Sequence, residues 1–150
     1  MNKINLSNLQ LKTFTEQDAS DYCLLNNINR HVITELDLSG NELTDISGIK
    51  VFKNLEYLDI SNSKIKDITV LKHLKNLEIL ILFHCININN ISPVKNLKNL
   101  EILDINNLKL ESDQIQYIKS LNNLETLYCY KGFKDMRILK QLNKNIKLYK

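Results

Sequence analysis

The chain has 150 residues, with 20 Lys and Arg against 17 Asp and Glu for a net charge of +3, and only three Gly, one Pro, three Cys and no Trp. That is long enough to bury one continuous core as a single domain. The mild charge without an Arg-rich tract argues against a nucleic-acid partner, and three scattered cysteines are too few for a disulfide framework. The longest apolar run, Ile79 to Phe83, is five residues, far short of a membrane span. No signal-peptide pattern opens the chain, so the expected setting is cytoplasmic with reduced thiols, away from a membrane.

In chain order, residues 6–32 read as a degenerate opening unit in which Leu6, Leu9, Leu11 and Phe14 are the inward apolar positions. It runs into TEQDASDYCLLNNI, where Thr15 and Asp18 approximate a capping box and Ala19, Tyr22, Cys23 and Ile28 form a helical stripe. Then one period takes over. ITELDLSGNELTDISGIKVFKN (33–54) is followed by units 55–76, 77–99, 100–123 and 124–145, of which the last four open Leu-Glu-x-Leu. Each has apolar residues at offsets 0, 3 and 5. In EYLDIS the apolar residues alternate, so Leu58 and Ile60 face one side of a strand while Tyr57, Asp59 and Ser61 face the other. The tail DITVLKHLKN is apolar at every third residue, the period of a 3₁₀ turn. ESDQIQYIKSL in unit 100–123 predicts a true helix, and the closing residues 146–150 predict a short strand with Leu148 inward. A single unit cannot bury its own apolar face, so neighbours must stack around a shared core.

This pattern resembles the leucine-rich-repeat family over at least residues 33–145, with L-x-x-L-x-L-x-x-N-x-I-x-x-I nearly whole at Ile33, Leu36, Leu38, Asn41, Leu43 and Ile46. The 22-residue length and the I-x-x-I-x-x-L-x-x-L tail are similar to the Sds22 and internalin subclass. The resemblance implies an α/β, right-handed, curved solenoid with a parallel concave sheet of about six or seven short strands and 3₁₀ turns or short helices on the convex side. It also implies a protein-binding module without enzymatic activity. A regulator acting on an enzyme in trans, as Sds22-like phosphatase regulation would be, is the alternative, and a secreted internalin-like adhesin a further one.

The candidate chemical groups are His84–Cys85 and the aspartates Asp37, Asp59 and Asp104. A metal centre needs three or four converging ligands, yet no CxxC, HxxxH or HExxH spacing occurs, and no glycine-rich phosphate loop or GxSxG. No metal, cofactor or catalytic residue is therefore expected. Cys85 falls in the repeat's asparagine column, occupied in turn by Asn41, Ser63, Cys85, Leu108 and Gly132. The aspartates share one strand offset, which reads either as a solvated polar face or as a site for a cation or basic peptide.

The outward columns point elsewhere. Where sibling strands carry Tyr57, Asp59 and Ser61, or Ile102, Asp104 and Asn106, the middle strand carries Ile79, Ile81 and Phe83. Contiguous outward apolar residues mark a binding surface, and Tyr128 and Tyr130 add aromatic area of the kind enriched at interfaces. The expected partner is another protein, gripped by Tyr57, Ile79, Ile81, Phe83, Ile102, Tyr128 and Tyr130 with Asp37, Asp59 and Asp104 as an acidic flank. A homodimer through the same patch is the other occupant considered.

Overall fold

The structure, a computed structural model, describes residues 2–150. Seven three-residue strands pair in chain order in one wholly parallel sheet: β1 Lys3–Asn5, β2 Glu35–Asp37, β3 Tyr57–Asp59, β4 Ile79–Ile81, β5 Ile102–Asp104, β6 Thr126–Tyr128 and β7 Lys147–Tyr149. Their central residues form one inward row from Ile4 through Leu36, Leu58, Leu80, Leu103 and Leu127 to Leu148. A second inward row follows two residues on, at Leu6, Leu38, Ile60, Leu82, Ile105 and Cys129, all buried. The ladder extends past the strands to this row, with Leu38 N donating to Asp59 O at 2.8 Å and Leu82 N to Asp104 O at 2.9 Å.

The predicted tails form 3₁₀ turns at Ser47–Val51, Thr69–His73, Ser92–Asn96 and Met136–Gln141. The predicted helix is α2, Ile115–Lys119, which continues a 3₁₀ turn. A short polar side chain opens each of these four repeat-tail 3₁₀ turns, though not the one leading into α2, by accepting from the backbone two residues on. Asp45 accepts from Ser47 N at 2.7 Å, Asp67 from Thr69 N at 2.8 Å, Asn90 from Ser92 N at 2.9 Å and Asp135 from Arg137 N at 3.0 Å. Between turns and sheet lies the continuous core, in which Ile49, Leu71 and Val94 repeat one position and Phe52, Leu74 and Leu97 the next.

At the N-terminus, helix α1 (Glu16–Leu25) starts with the expected reciprocal cap: Thr15 Oγ1 accepts from Asp18 N and Asp18 accepts from Thr15 N at 2.7 Å. Ala19 and Cys23 are buried beneath it. The opening unit, however, sits in a different frame from the one expected. Ile4, not Leu9, pairs with Leu36, and Leu9 is 56 % exposed. Both frames satisfy an apolar-x-apolar pattern. The earlier one wins because it lays Ile4 and Leu6 on the row of Leu36 and Leu38, and lets Phe14 stack on Phe52 (centroids 6.4 Å apart) in the convex layer. The chain between is held open for α1, which packs on the Ser47–Val51 turn.

Candidate partner-binding face

The concave face is read directly from strand register. Tyr57, Ile79 and Ile102 are neighbours in one column, and Asp59, Ile81 and Asp104 in the next. All six are half-buried, because adjacent strands about 4.8 Å apart bring flanking side chains against each other. Ile79 and Ile81 thus expose less area than their outward position suggested. Phe83, just beyond β4, is 36 % exposed and rests against His84, centroids 5.9 Å apart. Ser61, expected on the solvated side, is 6 % exposed.

Toward the C-terminus the face becomes aromatic and basic. Tyr128 stacks on Tyr149 at 4.6 Å, and Tyr130 and Tyr149 are 51 % and 40 % exposed. Lys131 Nζ lies 5.0 Å from the Tyr130 ring centroid and Lys147 Nζ 5.1 Å from that of Tyr149, within cation–π range.

The aspartates have a structural task as well as a charge. Asp37 accepts from Ser39 N at 3.0 Å, Asp59 from Ser61 N at 2.8 Å and Asp104 from Asn106 N at 2.8 Å, so each closes the turn leaving its strand. Asp37 also accepts from Asn5 Nδ2 at 3.1 Å. Among the described residues, Asp37, Asp59 and Asp104 form no ion pair. Burial, with the charge of Asp59 in addition, holds the Asp104 carboxyl above the usual carboxylate range. Burial and then the nearby Asp59 and Asp37 push the Tyr57 phenol up to about 12.

His84 and Cys85 belong to the turn, not to a reactive pair. His84 has φ +58°, in a column of left-handed residues that leave the strands: Asn8, Gly40, Asn62, His84, Asn107 and Lys131. Gly adopts this conformation freely and Asn and His are enriched in it, whereas Lys131 bears a steric cost. Cys85 is buried, its Sγ 3.1 Å from Ile60 O and 3.3 Å from Ser63 Oγ. Burial raises its thiol pKa. The asparagine column is complete only at Asn41, whose amide donates to Leu6 O and Leu38 O and accepts from Leu9 N and Leu11 N. Leu108 fills its place as a buried apolar residue. Gly132 leaves room for Ile105 O and Cys129 O, which an added Cβ would meet at 3.0 and 3.1 Å. No cluster of three or more His, Cys, Asp or Glu among the described residues could hold a metal ion. Cys23, Cys85 and Cys129 are free and buried.

One parallel strand per 22 to 24 residues from β2 to β6, with 3₁₀ turns on the opposite side and an inward column of Asn41 and its substitutes, defines a leucine-rich-repeat solenoid. Residues 32–73 match the family model described as leucine-rich repeats in two copies. No curated protein matches it in sequence. Among solved structures, an internalin (InlF) from Listeria monocytogenes superimposes with a TM-score of 0.72 at 23 % identity, over 99 % of this chain and 47 % of that one. The leucine-rich-repeat domain of the type III effector XopL gives 0.62 at 23 % identity, covering 79 % and 42 %. The ectodomain of the Arabidopsis thaliana receptor kinase GASSHO1/SCHENGEN3, in complex with CASPARIAN STRIP INTEGRITY FACTOR 2, gives 0.59 at 20 % identity, covering 93 % and 17 %. The chain thus spans less than half the length of each. These likenesses establish the fold and single out no subclass. No helix among the described residues is long and apolar enough to cross a membrane.

Proposed function

We propose that the protein is a non-enzymatic interaction module that grips a partner protein on its concave face, centred on Ile79, Ile81 and Phe83 with Tyr57, Ile102, Tyr128 and Tyr130 around them. The observation that carries this is the middle strand itself. β4 and the residues just beyond it give three successive outward positions to large apolar side chains, Ile79, Ile81 and Phe83, where β3 and its exit give Tyr57, Asp59 and Ser61. Full burial of such side chains is worth about 1.5–3 kcal/mol each, and half-burial leaves part of that for a partner. Leucine-rich-repeat domains commonly serve as protein-binding modules, and the receptor ectodomain above was solved in complex with a partner. Three unpaired, buried cysteines support a cytoplasmic location.

Affinity capture with Ile81→Lys beside the wild type tests the reading. Lysine removes the apolar floor, and its amine falls between Asp59 and Asp104, whereas aspartate there would add a third neighbouring carboxylate. Captured proteins should vanish with Ile81→Lys, persist with the convex control Lys72→Glu, and the melting temperature should hold within a few degrees. Retention of every captured protein by Ile81→Lys would refute the concave assignment.

A further inference from the structure

The concave face is electrically divided. At the outward strand positions β2 to β5 carry Glu35, Asp37, Asp59 and Asp104 and no cation, while β6 and β7 carry Lys147 and no acid, with Lys131 just beyond β6. Glu35 already pairs with Lys3 at 3.2 Å, leaving three aspartates without a cation. The division falls one strand to the C-terminal side of the apolar centre.

We propose that the occupant is an extended protein segment that crosses the strands with fixed polarity, setting a Lys or Arg beside an apolar anchor over β3 to β5 and an acidic group over β6 and β7. This rests on the concave-face reading above and specifies the partner's chemistry. Ile81 lies between Asp59 and Asp104 in register, so a basic side chain can lay its stem on Ile81 while its head reaches either carboxylate. An incoming cation would offset the burial and the Asp59 charge that hold the Asp104 carboxyl above the usual carboxylate range. At the other end, Lys131 and Lys147 stand over tyrosine rings, a positive and aromatic platform for a carboxylate. From β4 to β7 is three strand spacings, about 14 Å. An extended chain covers that in about four residues. The occupant is therefore a short linear motif with its positive charge about two residues to one side of an apolar anchor and its negative charge about four residues to the other. Phosphate-rich polymers are repelled by the aspartates along the first part of the same path.

Fluorescence anisotropy with labelled peptides of about nine residues, a span set by the strand spacing, decides it. In the matched probe Arg stands two residues from a central Leu and Glu four residues to its other side. In the swapped probe the charges are exchanged, and each order is also made in the reverse chain direction. One matched direction should bind at least about tenfold more tightly than either swapped probe, and that preference should shrink in about 0.5 M salt, where charges are screened within a few Å. Asp59→Asn with Asp104→Asn should erase the preference without unfolding, since each Asn keeps the oxygen that accepts from Ser61 N or Asn106 N. Equal binding of matched and swapped probes, lost in Ile81→Lys, would overturn the polarity and leave concave docking standing. No binding of any probe to wild type would overturn the charge-ordered motif and leave concave docking to the capture experiment, while binding that Ile81→Lys does not alter would overturn both.

Discussion

Replacing Asn41 by alanine tests how the opening unit is tied to the repeats. Asn41 is 1 % exposed. Its amide nitrogen donates to Leu6 O and Leu38 O, each at 2.8 Å, and its oxygen accepts from Leu9 N at 3.0 Å and Leu11 N at 3.1 Å. Alanine removes all four bonds. At about 1 kcal/mol net per bond the sum is about 4 kcal/mol. The two bonds from Leu9 N and Leu11 N are only part-buried, so water replaces the lost acceptor there, and the expected loss is about 2–3 kcal/mol. Urea unfolding should show a lower midpoint at constant slope, and amide exchange should quicken most at Leu9 and Leu11. Ser63→Ala is the internal comparison. Ser63 Oγ donates to Ile60 O at 2.8 Å, but Cys85 Sγ at 3.1 Å serves the same carbonyl, so that loss should stay near or below about 1 kcal/mol. A loss for Asn41→Ala no larger than for Ser63→Ala would refute the account of a single residue pinning the first loop.

Gly48→Ala should destabilise by about 1–3 kcal/mol through overpacking, because an added Cβ meets Thr15 O at 2.3 Å and Phe14 O at 2.7 Å, backbone atoms that cannot rotate away; an unchanged thermal melt would contradict the α1 packing. The folded protein should resist thiol labelling with Ellman's reagent near pH 8, since burial raises all three thiols, Cys129 to about 11, and all three should react in denaturant; rapid labelling of folded protein would place a thiol at the surface. Tyr57, raised to about 12 in the folded state against about 10 when unfolded, contributes stability that is complete below about pH 10 and is lost as pH rises toward 12. Ultraviolet titration should find one phenol ionising later than the rest, and Asp59→Asn should bring it down; a titration unchanged by that substitution would remove the aspartate from the cause.

Much of this architecture was legible because the repeat is a burial pattern. Leu36, Leu58, Leu80, Leu103 and Leu127 recur where a strand must face the core, and the polar and apolar residues between them alternate outward. The opening unit was not legible: Ile4 with Leu6 and Leu9 with Leu11 satisfy the same spacing. Packing on Leu36, Leu38 and Phe52 chose between them. The left-handed column was hidden for another reason. Asn8, Gly40, Asn62 and Asn107 are of types that enter this backbone angle readily, but isolated Asn and Gly recur elsewhere in the chain, and Lys131 shares the angle without that preference, so there the turn is imposed by the stacked coils. The apolar middle of the concave face could be read residue by residue, as could the aspartates in one column. How far Ile79 and Ile81 are covered, the burial of Ser61, and the field that Asp59 and Asp37 exert on Tyr57 arise only between neighbouring strands. Period, inward face and outward chemistry are local properties carried by each repeat's own residues. Register at the cap, partial burial and the electrical division of the face belong to side chains from different repeats, brought within a few ångströms only when the coils stack.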